Sequence, residues 1–80
     1  MNQPPARYLV LIDASGAMTA RLFDAKHAPV AEFDASSEEV AVMTSGLQPT
    51  RGATGAIWAR ALAGHSELER SSAEVFVLDV

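Results

Sequence analysis

Residues 8–16 read Tyr8-Leu9-Val10-Leu11-Ile12-Asp13-Ala14-Ser15-Gly16, which is a run of apolar side chains closed by a polar turn. The run predicts a strand over residues 7–13 that has no polar face. Strands of this kind normally lie at the centre of a sheet, because both of their faces are apolar. The stretch therefore predicts a sheet protein built outward from this strand.

The residues that follow predict two more strands. Residues 17–24 alternate between apolar and polar side chains, which indicates a half-exposed strand. Turn-forming residues come next, and residues 30–34 predict a third short strand. Pro29 precedes this strand, at a position where a missing N–H donor does least harm. The three strands together predict an antiparallel meander.

Two helices are expected after the meander. Ser36 and Glu39 have the spacing of a capping box, which predicts a helix that Gly46 and Pro49 end. The β-branched residues in this segment alternate, so a strand over residues 39–44 remains an alternative. A second helix is predicted over residues 56–63, and its apolar stripe indicates that the core is anchored by Ile57, Trp58 and Leu62.

The last part of the sequence predicts one more helical turn and one more strand. Ser66 and Glu69 again have capping-box spacing and predict a short helical turn. Residues 74–80 predict a last apolar strand. The fold class is thus α/β of the α+β type, with the order β-β-β-α-α-β in a single domain over residues 7–80. Residues 1–6 are expected to form an extended leader.

The predicted topology depends on the connection to the last strand. A right-handed helical crossover would lay that strand parallel to the first, which gives the sheet order 3-2-1-4. Both helices would then cover one face of the sheet and leave the other bare. We therefore expect a protein partner or a weak homo-oligomer to cover the bare face.

Composition limits the classes of partner and compartment. The chain has 80 residues, ten acidic and six basic, and a net charge of -4. The basic residues are scattered singly, so nucleic acid is an unlikely partner. The absence of cysteine excludes disulfides and thiolate zinc sites. The longest apolar run is too short for a signal peptide or a membrane span, so we expect a cytoplasmic protein without membrane contact.

Asp13 and Ser15 place a carboxylate and a hydroxyl at the exit of a buried strand, where ligand crevices often form. Residues 10–18 resemble the first metal-site segment of von Willebrand factor A domains, whose D-x-S-x-S motif meets magnesium. The resemblance implies oxygen ligands at Asp13 and Ser15, but Ala17 replaces the second serine. Two oxygens are too few for a hard cation, so we expect no metal and no cofactor. The two side chains are expected to bond the turn backbone instead.

The stretch from the first strand to Asp24 is also similar to the opening hairpin of actin-like ATPases and sugar kinases, which handle phosphates there. The active sites of those families lie between two domains that are each larger than this chain. The resemblance therefore implies only the hairpin geometry. We expect that the protein is not an enzyme. His27 and His65 lie beside turn residues without a linked nucleophile, and we expect both to be solvated loop imidazoles.

Gly52-Ala53-Thr54-Gly55 lies between two predicted helices and resembles the G-x-x-G loop of KH domains, which follows a nucleic-acid backbone. In KH domains the middle residues are often basic, whereas here they are Ala53 and Thr54 and only Arg51 adjoins. We expect ordinary loop and cap chemistry at this position. The alternative is that Arg51, Gly52, Thr54 and Gly55 bind an anion.

These observations predict a non-catalytic module for protein–protein interaction or self-association. The alternative is a module that binds an anion, a nucleotide or nucleic acid through residues 13–16 or residues 51–55. A positive groove through Arg51 and Arg60 would favour this alternative. An exposed apolar sheet face would favour the interaction module.

Overall fold

Strand β1, Tyr8–Ala14, contains the apolar run and lies at the centre of the sheet. The computed structural model describes residues 6–14 and 17–78. Ser15 and Gly16 of the predicted turn therefore lie outside the described residues, as does the predicted leader except for Ala6. Successive side chains of β1 point to opposite faces of the sheet. Both faces need apolar side chains at this central strand, which explains why the run has no polar face.

All described strands pair antiparallel, in the order β3-β2-β1-β5-β4. The strands besides β1 are β2 (Ala17–Phe23), β3 (Pro29–Asp34), β4 (Thr50–Arg51) and β5 (Glu74–Val77). The predicted meander of the first three strands is confirmed. The predicted order 3-2-1-4 is incomplete, because the two-residue β4 adds a strand at the edge beyond β5.

The predicted parallel pairing of the last strand with the first is wrong. Tyr8 lies opposite Val77 and Leu11 lies opposite Glu74, so β5 runs antiparallel to β1. The reason is that the helical crossover from β3 leads to β4, which has the same direction as β1 and β3. The chain then passes through two further helices and re-enters the sheet at the end where β4 left it.

Three short helices connect the later strands within the described residues: α1 (Ser37–Met43), α2 (Ala56–Ala61) and α3 (Glu67–Ser72). Both predicted capping boxes are present at the starts of α1 and α3. Residues 39–43 are helical, so the alternative of a strand there is wrong. In the described part of the chain, no helix has the length and apolar character that a bilayer span requires.

The sheet carries a hydrophobic core on each face. Val10 and Ile12 belong to the core under α2 and α3, together with Phe23, Ala53, Leu62, Ala73 and Val75. Leu9 and Leu11 belong to the opposite core, against which Val40 and Met43 of α1 pack. The predicted bare face is therefore wrong, because α1 alone covers one side and the other two helices cover the other. The fold therefore leaves no bare sheet face of the described residues for a partner to cover.

The three predicted anchors of α2 have different environments. Leu62, just after the helix, is fully buried, and Trp58 is half-buried against the same core. Ile57 is 59% exposed, so its predicted role as a core anchor is wrong. The helix has only six residues, and its buried stripe is narrower than the sequence pattern indicated.

Candidate ligand-binding cleft

The turn between β2 and β3 is held together by Asp24. Its carboxylate accepts hydrogen bonds from the N–H groups of Lys26 and Ala28, at 2.8 and 2.9 Å. Its backbone N–H donates to the Ala28 carbonyl at 3.0 Å, and its own carbonyl accepts from the His27 N–H at 3.0 Å. This is a three-residue hairpin loop whose last residue must adopt a left-handed conformation. The residue in that position is His27, with φ of 65°.

The side chain of His27 packs against two aromatic rings. Its imidazole stacks on Tyr8 with the ring centroids 4.7 Å apart, and it meets Trp58 edge-on at 4.6 Å. Its exposure is intermediate. The prediction of a solvated loop imidazole is therefore wrong for His27. A left-handed conformation is uncommon outside glycine and asparagine, and here the ring contacts offset its cost.

The same rings connect α2 to the sheet. Trp58 also makes edge contacts with Tyr8 at 5.8 Å and with Phe23 at 5.3 Å. The four aromatic side chains come from β1, β2, the hairpin turn and α2. They fix the start of α2 beside the turn and so determine the distance between these two elements.

A surface cleft of about 450 Å³ lies between the turn and α2. It is lined by Lys26 and His27 from the turn and by Ala56, Ile57 and Arg60 from α2. Two of the chain's six basic side chains thus meet an imidazole and an exposed apolar side chain. No carboxylate is among these lining residues, and the carboxylate of Asp24 nearby is occupied by two backbone N–H groups.

The positive groove through Arg51 and Arg60 that would favour a ligand-binding module is not formed, because these two residues lie apart. Arg60 lines the cleft with Lys26, whereas Arg51 lies on β4 and pairs in register with Glu74. The cleft is beside Tyr8 at the start of β1. Arg51 aligns with the middle of β1, because Glu74 also pairs with Leu11.

Asp13 does not contribute to the cleft. It is exposed and lies five residues along β1 from Tyr8, which corresponds to about 17 Å in a strand. Its predicted partner Ser15 lies outside the described residues. Among residues 6–14 and 17–78 there is no group of three or more side chains suited to hold a metal ion.

The loop from Arg51 to Gly55 packs against the protein through its backbone. The N–H groups of Gly52 and Ala53 donate to the carbonyls of Ala73 and Arg70, at 2.8 and 2.7 Å, and Ala53 is fully buried. Two backbone amides of the G-x-x-G segment therefore already donate hydrogen bonds within the protein. Arg51, Thr54 and Gly55 are exposed. By register, the loop and Asp13 lie toward the same end of the sheet and are separated by β5.

His65 lies at the start of α3, away from His27. Its carbonyl accepts a hydrogen bond from Arg70 Nη1 at 2.7 Å, and its Nδ1 is 3.7 Å from the Glu69 carboxylate. The backbone N–H of Ser66 donates to the same carboxylate and lowers the pKa of Glu69, and the neighbouring His65 adds to this effect. These contacts stabilise the start of α3.

Sequence reasoning missed the cleft because its two walls lie about thirty residues apart in the chain, at residues 26–27 and 56–60. One local signal was available, since a three-residue hairpin loop without glycine places another residue in the left-handed position. No family model, curated protein or solved structure matches the chain.

Proposed function

We propose that this chain is a non-catalytic binding module that holds an anionic ligand in the cleft between the hairpin turn and α2. One observation carries the proposal: the cationic side chains of Lys26 and Arg60 line the same cleft, in a chain whose net charge is -4. Cationic groups that converge without a lining carboxylate favour a negatively charged guest.

The rigidity of the cleft supports binding. His27 is held by the hairpin hydrogen bonds and by the rings of Tyr8 and Trp58, so one wall is ordered before a ligand arrives. Preorganisation of this kind reduces the entropy that a ligand must offset. The lining residues include no carboxylate, hydroxyl or thiol that His27 would activate for catalysis. A binding role agrees with this set of side chains.

The test is a titration followed by backbone amide chemical shifts in NMR spectra, with acetate, inorganic phosphate and hexanoate as probes at constant ionic strength. We expect saturable shifts at residues 26–27 and 56–60. Arg60→Gln and Lys26→Gln should each weaken binding about tenfold, as for the loss of one charge-assisted contact. Arg51→Gln is the matched control, because Arg51 is exposed and lies outside the cleft. Binding that depends on Arg51 instead of Arg60 would contradict the proposal.

A second candidate, self-association through the edge of β5, is favoured by a different observation. The N–H of Leu78 donates to the Arg7 carbonyl at 2.8 Å, so the N–H and C=O of Val77 point away from β1. The pairing of β4 with β5 stops at Val75. Val77 is 51% exposed and apolar. Among the described residues, none pairs with β5 at Val77 on this side. An unpaired strand edge beside an exposed apolar residue is a template for strand addition by a second copy.

Sedimentation at about 1 mM protein tests this second candidate. We expect a dimer fraction that Val77→Lys removes, because a lysine on an open edge opposes strand pairing. Leu68→Lys is the control, since Leu68 is 78% exposed but lies on α3 rather than on a strand edge. A strictly monomeric wild-type protein, or equal effects of the two substitutions, would exclude edge pairing.

A further inference from the structure

We infer that the ligand of the cleft is an organic acid, with one anionic group and a compact apolar body, rather than an inorganic anion. This inference rests on the proposed function, namely that the cleft binds an anion. It adds the chemical class of the ligand, which is argued from the volume and from the apolar part of the lining.

The volume of the cleft exceeds what a single inorganic anion would fill. The cleft has a volume of about 450 Å³. It falls within the range of about 300 to 1,000 Å³ that is typical of sites for small organic molecules. A phosphate or sulfate ion would leave most of this space to water.

The lining has an apolar part beside its cationic part. Ala56 and Ile57 line the cleft next to Arg60, and Ile57 is exposed although it belongs to the first turn of a helix that packs on the core. His27 lines the opposite wall. An apolar body of a ligand would remove these surfaces from water, and each methylene that it buries can strengthen binding up to about fourfold.

The cationic and the apolar parts of the lining favour different parts of a ligand. Lys26 and Arg60 are the charged groups available to an anionic head, because both line the cleft and neither is assigned an ion pair within the described residues. Ala56 and Ile57 are the apolar residues available to the apolar body. A carboxylate on a short aliphatic or aromatic group has both features.

The experiment compares ligands that differ only in the apolar body or only in the charge. Acetate, butyrate and hexanoate form the series, hexanol is the neutral counterpart, and inorganic phosphate is the compact anion. We expect hexanoate to bind at least about tenfold more tightly than acetate or phosphate, and hexanol to bind more weakly than hexanoate. Ile57→Ser should reduce the hexanoate-to-acetate ratio to below about threefold while acetate binding stays unchanged.

Two control variants test whether a change in the hexanoate-to-acetate ratio comes from the apolar side chain in the cleft. Leu68→Ser removes an exposed apolar side chain on α3 that does not line the cleft, and it should leave the ratio unchanged. Ile57→Ala retains a small apolar side chain and should give an intermediate ratio. The amide spectrum of each variant establishes that it is folded.

The possible failures can be told apart. If acetate, phosphate and hexanoate bind equally and Arg60→Gln weakens all three, the organic acid is excluded while the anion site stands. If hexanol binds as tightly as hexanoate and Arg60→Gln has no effect, the cleft is an apolar site and the proposed function fails. The absence of binding by every probe would also overturn the proposed function.

Discussion

The imidazole of His27 is stacked on the ring of Tyr8, with the centroids 4.7 Å apart and the planes inclined by 28°. This contact joins a hairpin turn to the start of the central strand. Because Trp58 meets the same imidazole edge-on, the turn and α2 are held by one shared side chain. The width of the cleft is therefore set by aromatic packing and not by the flexible basic side chains that line it.

The backbone at His27 gives the first prediction. His27→Ala and His27→Gly both remove the imidazole, but only alanine keeps a Cβ in the left-handed region at φ of 65°. We expect the alanine variant to be less stable than the glycine variant by about 1 kcal/mol in denaturant unfolding. Equal stabilities would mean that the turn relaxes to a different conformation when the ring is absent.

Two apolar residues give the second prediction, one in α2 and one just after it. Leu62 is fully buried and Ile57 is 59% exposed. Leu62→Ala should therefore cost about 3 kcal/mol, from lost transfer free energy and a residual cavity. Ile57→Ala should change stability by less than about 0.5 kcal/mol, as is usual for a surface substitution. Chemical denaturation of both variants measures the difference, and a large loss for Ile57→Ala would show that α2 presents a different face to the core.

The elements that depend on local spacing were predictable. Ser36 with Glu39, and Ser66 with Glu69, form capping boxes because the interaction needs only residues three apart in the chain. The first three strands follow from alternation and from turn residues. In each case the physical cause lies within a few residues of the pattern.

The features that depend on long-range packing were not predictable. Strand β4 has only two residues, Thr50–Arg51, and so shows no periodicity. Its presence at the sheet edge changes where the crossover ends, and this reverses the direction of β5. The cleft has the same origin, because Lys26 and Arg60 meet only once Trp58 has packed against His27 and Tyr8.

The hydrogen bonds of Asp24 give the third prediction. Asp24→Ala removes the acceptor of two backbone N–H groups in the hairpin turn, and we expect a loss of about 1 to 2 kcal/mol. Asp24→Asn is the matched control, because its amide oxygen can accept both bonds and only the charge is lost. Thermal or chemical unfolding measures both variants. If asparagine destabilises the protein as much as alanine does, the charge and not the hydrogen bonding of Asp24 maintains the turn.

The start of α3 gives a prediction for the effect of pH. The backbone N–H of Ser66 donates to the Glu69 carboxylate at 2.9 Å, and this bond is the largest cause of the lowered pKa of Glu69. The folded protein therefore holds the proton of this carboxyl less tightly than the unfolded chain does. The stabilisation is complete above the pKa of the unfolded state and is lost as the pH falls through the lowered pKa of the folded state.

Glu69→Gln isolates this contribution, because glutamine also serves in a capping box but does not titrate. We expect the unfolding midpoint of the wild-type protein to fall more steeply than that of the variant as the pH decreases below 4.5, the ordinary pKa of a glutamate carboxyl. Glu67→Gln is the control, since Glu67 is another acidic residue in the first turn of α3 and is exposed. It loses the same charge near the helix start without changing the cap. If the two variants show the same dependence on pH, the charge at the helix start, and not the hydrogen bond from Ser66, accounts for the acid sensitivity.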